Sequence, residues 1–85
     1  MPHVIVEYAF DPPATEEEFD QIAERLGPCL EGRGVRFVES FVSLDRRRRV
    51  CVFEAADADT VRVAYRSANV TVERVWSAEH IADDD

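Results

Sequence analysis

Lysine is absent from this chain of 85 residues, and all ten of its basic residues are arginine. Eighteen acidic residues outnumber them, for a formal net charge of -8. That balance repels phosphate backbones, so it argues against general nucleic-acid binding and against docking on anionic membranes, while it attracts cations. Long apolar runs are missing too, since none approaches the roughly 18 residues of a membrane span. The opening MPHVIVEYAF has neither a basic stretch nor a cleavage pattern, and a soluble, cytoplasmic protein is expected. Cysteine is scarce. Cys29 and Cys51 are too few for a disulfide framework and lack the CxxC spacing of a zinc or redox site, so they read as small buried hydrophobes. With three glycines and two histidines, the chain has no Gly-rich phosphate loop, no Ser-His-Asp arrangement and no zinc-spaced cluster.

What is present is patterned. From Val35 to Ala55, two runs rich in Val and Phe alternate with polar residues across a short polar loop, the signature of an antiparallel hairpin. Strand side chains alternate with a period of two. Val38, Ser40, Val42 and Leu44 therefore oppose Phe37, Glu39, Phe41 and Ser43. On the second run, Cys51, Phe53 and Ala55 oppose Val50, Val52 and Glu54. The first set of each is placed against helices and the second on an open face. Asp45 and Arg46 to Arg49 fill the loop, where charge is read as solvation of a hairpin tip.

Before the hairpin, His3 to Phe10 reads as a strand with Val4, Val6, Tyr8 and Phe10 toward the helices, ended by Asp11, Pro12 and Pro13. Thr15 and Glu18 make a capping box, and Phe19, Ile22, Ala23, Leu26 and Leu30 give a helical stripe. Gly27 and Pro28 predict a kink or break in it. After the hairpin, Asp57 caps a short helix buried through Val61, Ala64, Tyr65 and Ala68, with Asn69 as terminator. Val72 to Ile81 resumes a strand whose facing is open between Val72, Trp76 and Ala78 or Val75, Ser77 and Ile81. The tail over residues 82–85 is expected to be disordered.

The order βαββαβ predicts one α+β domain over residues 1–85. It is a ferredoxin-like split βαβ sandwich, a four-stranded antiparallel sheet with two helices on one face. At this size folding buries only about two thirds of the unfolded surface, so the open face is expected to pair with a second copy as a homodimer. Ile5, Phe37, Phe41, Val50 and Val52 are the candidate pocket or dimer face. Glu7, Glu39 and Glu54 fall on the same side of adjacent strands. A register pairing Leu44 with Arg49 sets Glu39 opposite Glu54, and like charges there need a proton, an arginine or a cation. A divalent metal would add His80 or His3 to the carboxylates, and a small ligand is the other candidate occupant. The alternative is a small cofactor-free enzyme, isomerase- or monooxygenase-like by fold analogy, using Glu39 or Glu54 in an apolar pocket as general acid or base.

The hairpin segments Phe37-Val38-Glu39-Ser40-Phe41-Val42 and Cys51-Val52-Phe53-Glu54-Ala55 resemble a small bacterial family, domain of unknown function 4242, sometimes labelled nickel-binding-like. Val6-Glu7 and Arg74-Val75 extend the likeness over nearly the whole chain. The resemblance implies a ferredoxin-like sandwich pairing through its open sheet face, and divalent metal binding. Where relatives carry a histidine in the second helix, this chain has Ala64, and Ala68-Asn69-Val70-Thr71 replaces a Gly-Phe-Pro-like turn. A nickel site that used that histidine would be one ligand short here.

Overall fold

A computed structural model describes residues 2–83. The chain runs β1 (His3–Ala9), α1 (Glu16–Glu31), β2 (Arg36–Val42), β3 (Arg48–Glu54), α2 (Ala58–Ser67) and β4 (Arg74–Ala78). The strands form one antiparallel sheet in the order β2-β3-β1-β4, so the two most apolar strands lie at its centre. This is the ferredoxin-like arrangement. Of the acidic tail, residues 84 and 85 lie outside the described residues, while Ala82 and Asp83 are exposed and carry no regular secondary structure.

Both helices cover one face because one face of each central strand is uniformly apolar. Val4, Val6 and Tyr8 of β1 meet Cys51 and Phe53 of β3 beneath Leu26 and Leu30 of α1 and Val61, Ala64 and Tyr65 of α2. The Tyr65 ring is packed edge to face against both Tyr8 and Phe53, with ring centres 5.6 and 6.2 Å away respectively.

The expected capping box starts α1. Thr15 Oγ1 accepts from the Glu18 amide at 3.1 Å, and Glu18 Oε1 accepts from the Thr15 amide at 3.2 Å. Thr15→Ala is therefore expected to remove about 1 kcal/mol of stability and to lower the melting temperature by about 4–8 °C. An unchanged thermal midpoint would show that α1 does not depend on this cap.

The break expected at Gly27 and Pro28 does not occur, and α1 continues through Pro28 to Glu31. A proline ring disfavours helical backbone at the preceding residue largely by crowding its Cβ. Gly27 has none, so that clash is absent, and what remains is the lost hydrogen bond to Glu24 and the crowding of its carbonyl by the ring. The chain then turns through Gly34, whose positive φ of 67° suits glycine. Asp57 caps α2 by accepting from the Thr60 amide at 2.7 Å, and Asn69 ends it in the left-handed region at φ 57°.

The hairpin differs from expectation in two ways. First, the ladder closes at Val42 opposite Arg49, not at Leu44, so Glu39 lies opposite Val52 and not opposite Glu54. Ser43 is the reason. Its Oγ accepts from the amides of Arg48 at 2.9 Å and Arg47 at 3.2 Å and donates to Asp45 Oδ1 at 2.6 Å. This side chain closes the turn in place of a longer ladder and leaves Leu44 fully exposed.

Second, the register shifts between Phe37 and Glu39, leaving Val38 as an extra residue. A bulge reverses the alternation beyond it. Phe37 therefore pairs with Phe53 and faces the helices, with ring centres 5.8 Å apart, and is not part of the open face.

Candidate functional site

Directly opposed residues share a face, so the register fixes the open side of the sheet row by row. One row reads Glu39, Val52, Ile5 and Trp76, and the next reads Phe41, Val50, Glu7 and Arg74. A third holds Arg36, Glu54, His3 and Ala78. The structure thus brings Ile5, Phe41, Val50 and Val52 together as expected and adds Trp76, which settles the facing of β4. Phe41 is 63% exposed and Trp76 45%. With no helix over them, they form an uncovered apolar stripe.

The three glutamates fall in three different rows, each with its own surroundings. Glu54 is bridged by Arg36, which lies opposite it beyond the bulge and donates from Nε at 2.8 Å. This hydrogen bond holds the Glu54 carboxyl below its ordinary range. Glu7 Oε2 accepts from the indole Nε1 of Trp76 at 2.8 Å, and Arg48 lies 3.8 Å from its other oxygen. Glu39 is exposed to solvent on the edge strand. An apolar enclosure of the kind that raises a carboxyl toward neutral pH surrounds neither Glu39 nor Glu54.

His3 and His80 do converge. Their ring centres are 5.3 Å apart at the rim of a shallow groove of about 460 Å³, whose floor includes Ile5, Val52 and Trp76. Two imidazoles ligating one ion at about 2.1 Å hold their ring centres roughly 4.5–6.5 Å apart, so the pair is compatible with a shared cation. Among the described residues, however, no group of three His, Cys, Asp or Glu side chains could hold a metal ion. The described residues of one chain therefore bring two imidazole rings together but provide no complete coordination sphere.

The four consecutive arginines divide between surface and interior. Arg46 pairs with Glu16 at 2.8 Å, Arg47 with Asp11 at 3.3 Å and Arg48 with Glu73 at 3.1 Å. Arg49 belongs to β3 opposite Tyr8 and turns to the helix side. There it lies over the rings of Phe19, at 5.0 Å, and Tyr8, at 5.8 Å. Beside it the phenols of Tyr8 and Tyr65 are hydrogen-bonded to each other. Both are pushed well above the ordinary phenol range, chiefly by burial, and burial likewise raises the Cys51 thiol. Sequence reasoning assigned Arg49 to the loop. Extending the alternation of Cys51 and Phe53 backwards by one step would have placed it inside.

The family model described as "Nickel responsive protein SCO4226-like" matches residues 5–77. The crystal structure of SCO4226 from Streptomyces coelicolor A3(2) superimposes with a TM-score of 0.81 at 14% identity, covering 94% of this chain and 99% of that one. At that identity the likeness speaks for the fold. No curated protein matches the chain.

Proposed function

Since the chain belongs to the SCO4226-like family of nickel-responsive proteins, we propose that it is a small binding protein for a nickel-class divalent cation, paired with a second copy across its open sheet face. The observation that carries the cation reading is the His3 and His80 pair. Imidazole nitrogen is a donor suited to nickel, and the net charge of -8 favours accumulation of cations around the protein. His3 and His80 would hold the ion, with water or side chains of the second copy filling the remaining positions. Carboxylates alone would favour magnesium or calcium, so two nitrogens tilt the choice toward nickel and its neighbours. The pairing reading rests on Phe41, Val50, Val52, Ile5 and Trp76, an apolar stripe that no helix or strand among the described residues covers. Nucleic acid is not a partner in this reading, because Arg46, Arg47 and Arg48 are already matched to carboxylates on an acidic protein.

Calorimetric titration of the tag-free protein with nickel chloride tests the site. The wild-type protein should bind nickel in preference to magnesium, and His3→Ala and His80→Ala should each weaken binding at least about tenfold, since even an outer-shell partner of a ligand is worth that much. If the double variant titrates like wild type, the imidazole pair is not the site.

A further inference from the structure

On the covered side of the sheet, a hollow of about 250 Å³ lies between α1 and the strands. It lies on the opposite face of the sheet from the histidine groove and is independent of the cation reading. Its walls are largely apolar, with aromatic rings contributed by Tyr8, Phe37, Phe53 and Tyr65 and an aliphatic side formed by Leu26 and Leu30. The bulge at Val38 is what turns Phe37 into this wall. The half-exposed ring stands at the edge of the sheet and forms one lip of the opening.

One cation reaches this hollow. Arg49 lines it, and among the described residues no carboxylate pairs with its guanidinium. Of its five N–H donors, Nη2 makes a long hydrogen bond to Ser40 Oγ at 3.4 Å, while Nε is sealed from solvent without a partner. The sealed Nε is out of reach of the hollow, so an anion there would meet the terminal Nη amino groups, and a guanidinium beside an apolar cavity is best matched by a carboxylate, which those two groups meet with parallel hydrogen bonds. The other polar groups nearby add no charge. The Tyr8 and Tyr65 phenols and the Cys51 thiol stay protonated at neutral pH because burial raises all three.

We propose that this hollow is a binding site for a small arylcarboxylate, with Arg49 holding the carboxylate and the aromatic wall holding the ring. The single positive charge selects a monoanion over phosphate esters and dianions. The size selects a compact body, since roughly 150 Å³ of apolar space accepts benzene and the remainder here accommodates a carboxylate on a short arm. Aromatic walls favour an aryl over an alkyl body through edge-to-face contacts.

Calorimetry with phenylacetate, phenylacetamide and octanoate, supported by ring-proton shifts of Tyr8 and Tyr65, tests the assignment on the intact protein. Phenylacetate is expected to bind one per chain with submillimolar affinity, at least about tenfold tighter than the neutral amide, in line with a hydrogen bond to a charged group. Arg49→Met, which keeps the length and apolar stem, should erase that preference. Leu26→Trp, which leaves Arg49 in place and fills the hollow, should abolish binding, with circular dichroism verifying that each variant is folded. His3→Ala and His80→Ala should bind phenylacetate as wild type does. Equal affinity for acid and amide, unchanged binding in either cavity variant, tighter binding of octanoate, or no saturation by about 10 mM would each overturn the proposal.

Discussion

Phe53→Ala is expected to lower the melting temperature by about 15–30 °C, the largest stability change of any single truncation considered for this fold. The ring is 2% exposed on the central strand β3, and it touches Phe37 on one side and Tyr65 on the other. Truncating a buried phenylalanine removes about 3–5 kcal/mol, through lost transfer energy and the void left behind. A domain of this length has roughly 4–13 kcal/mol in total, at about 0.05–0.15 kcal/mol per residue, so the loss is a large fraction of what holds it folded. The hollow beside the ring places the effect toward the lower half of the range, because that side of Phe53 has fewer packing partners to lose. Thermal unfolding followed by circular dichroism measures it. A drop smaller than about 5 °C would mean that the aromatic series across the core carries little of the stability.

The residues that organise this core were readable because each obeys a single local rule. Val4, Val6 and Tyr8, like Cys51, Phe53 and Ala55, recur at every second position and lie under the helices as a period of two requires. Thr15, Asp57 and Asn69 occupy cap positions whose chemistry is confined to a few neighbouring residues. What was not readable depends on one residue altering the phase of others. Val38 reverses the facing of Phe37, and nothing in the composition of Phe37-Val38-Glu39 distinguishes a bulge from a regular strand. Ser43 moves the whole register because its hydroxyl gathers two amides of the loop, and so the pairing of Glu39 with Glu54 never forms.

The same limit applies to the candidate sites. A run of four arginines carries no alternation of its own, so the turn of Arg49 into the interior was masked by the charge of its neighbours. His3 and His80 lie at opposite ends of the sequence. They meet only because β4 lies beside β1, which brings the segment after Ala78 back to His3. Trp76 likewise had two open facings until its pairing with Ile5 placed it beside Glu7. Each of these placements is a property of the sheet order, not of a motif.

If the chain pairs through its open face as proposed, Phe41→Arg is expected to convert that dimer into a monomer over the micromolar range, weakening association at least about a hundredfold. Phe41 is the most exposed large apolar side chain of the open face, opposite Val50 and one row from Val52, Ile5 and Trp76. In a twofold interface the same patch serves both copies, so a single substitution is felt twice. Burying an unpaired guanidinium among apolar groups costs several kcal/mol, and each 1.4 kcal/mol or so is a factor of ten in the dissociation constant. Glu7 and Glu54 on the same face are already engaged, the first by Trp76 and Arg48 and the second by Arg36, and the exposed Glu39, two residues away on β2, offsets only part of the cost. Phe41→Leu, which keeps the apolar character, should weaken association by less than about tenfold. Because Phe41 is largely exposed within its own chain, neither substitution should alter the circular dichroism of the fold. Light scattering across a dilution series distinguishes the outcomes. A wild-type protein that is monomeric at micromolar concentration would remove the pairing. A Phe41→Arg protein that remains dimeric would move the contact away from this face, to the exposed edge of β2 or β4, where unpaired backbone groups offer the other route by which a sheet recruits a second copy.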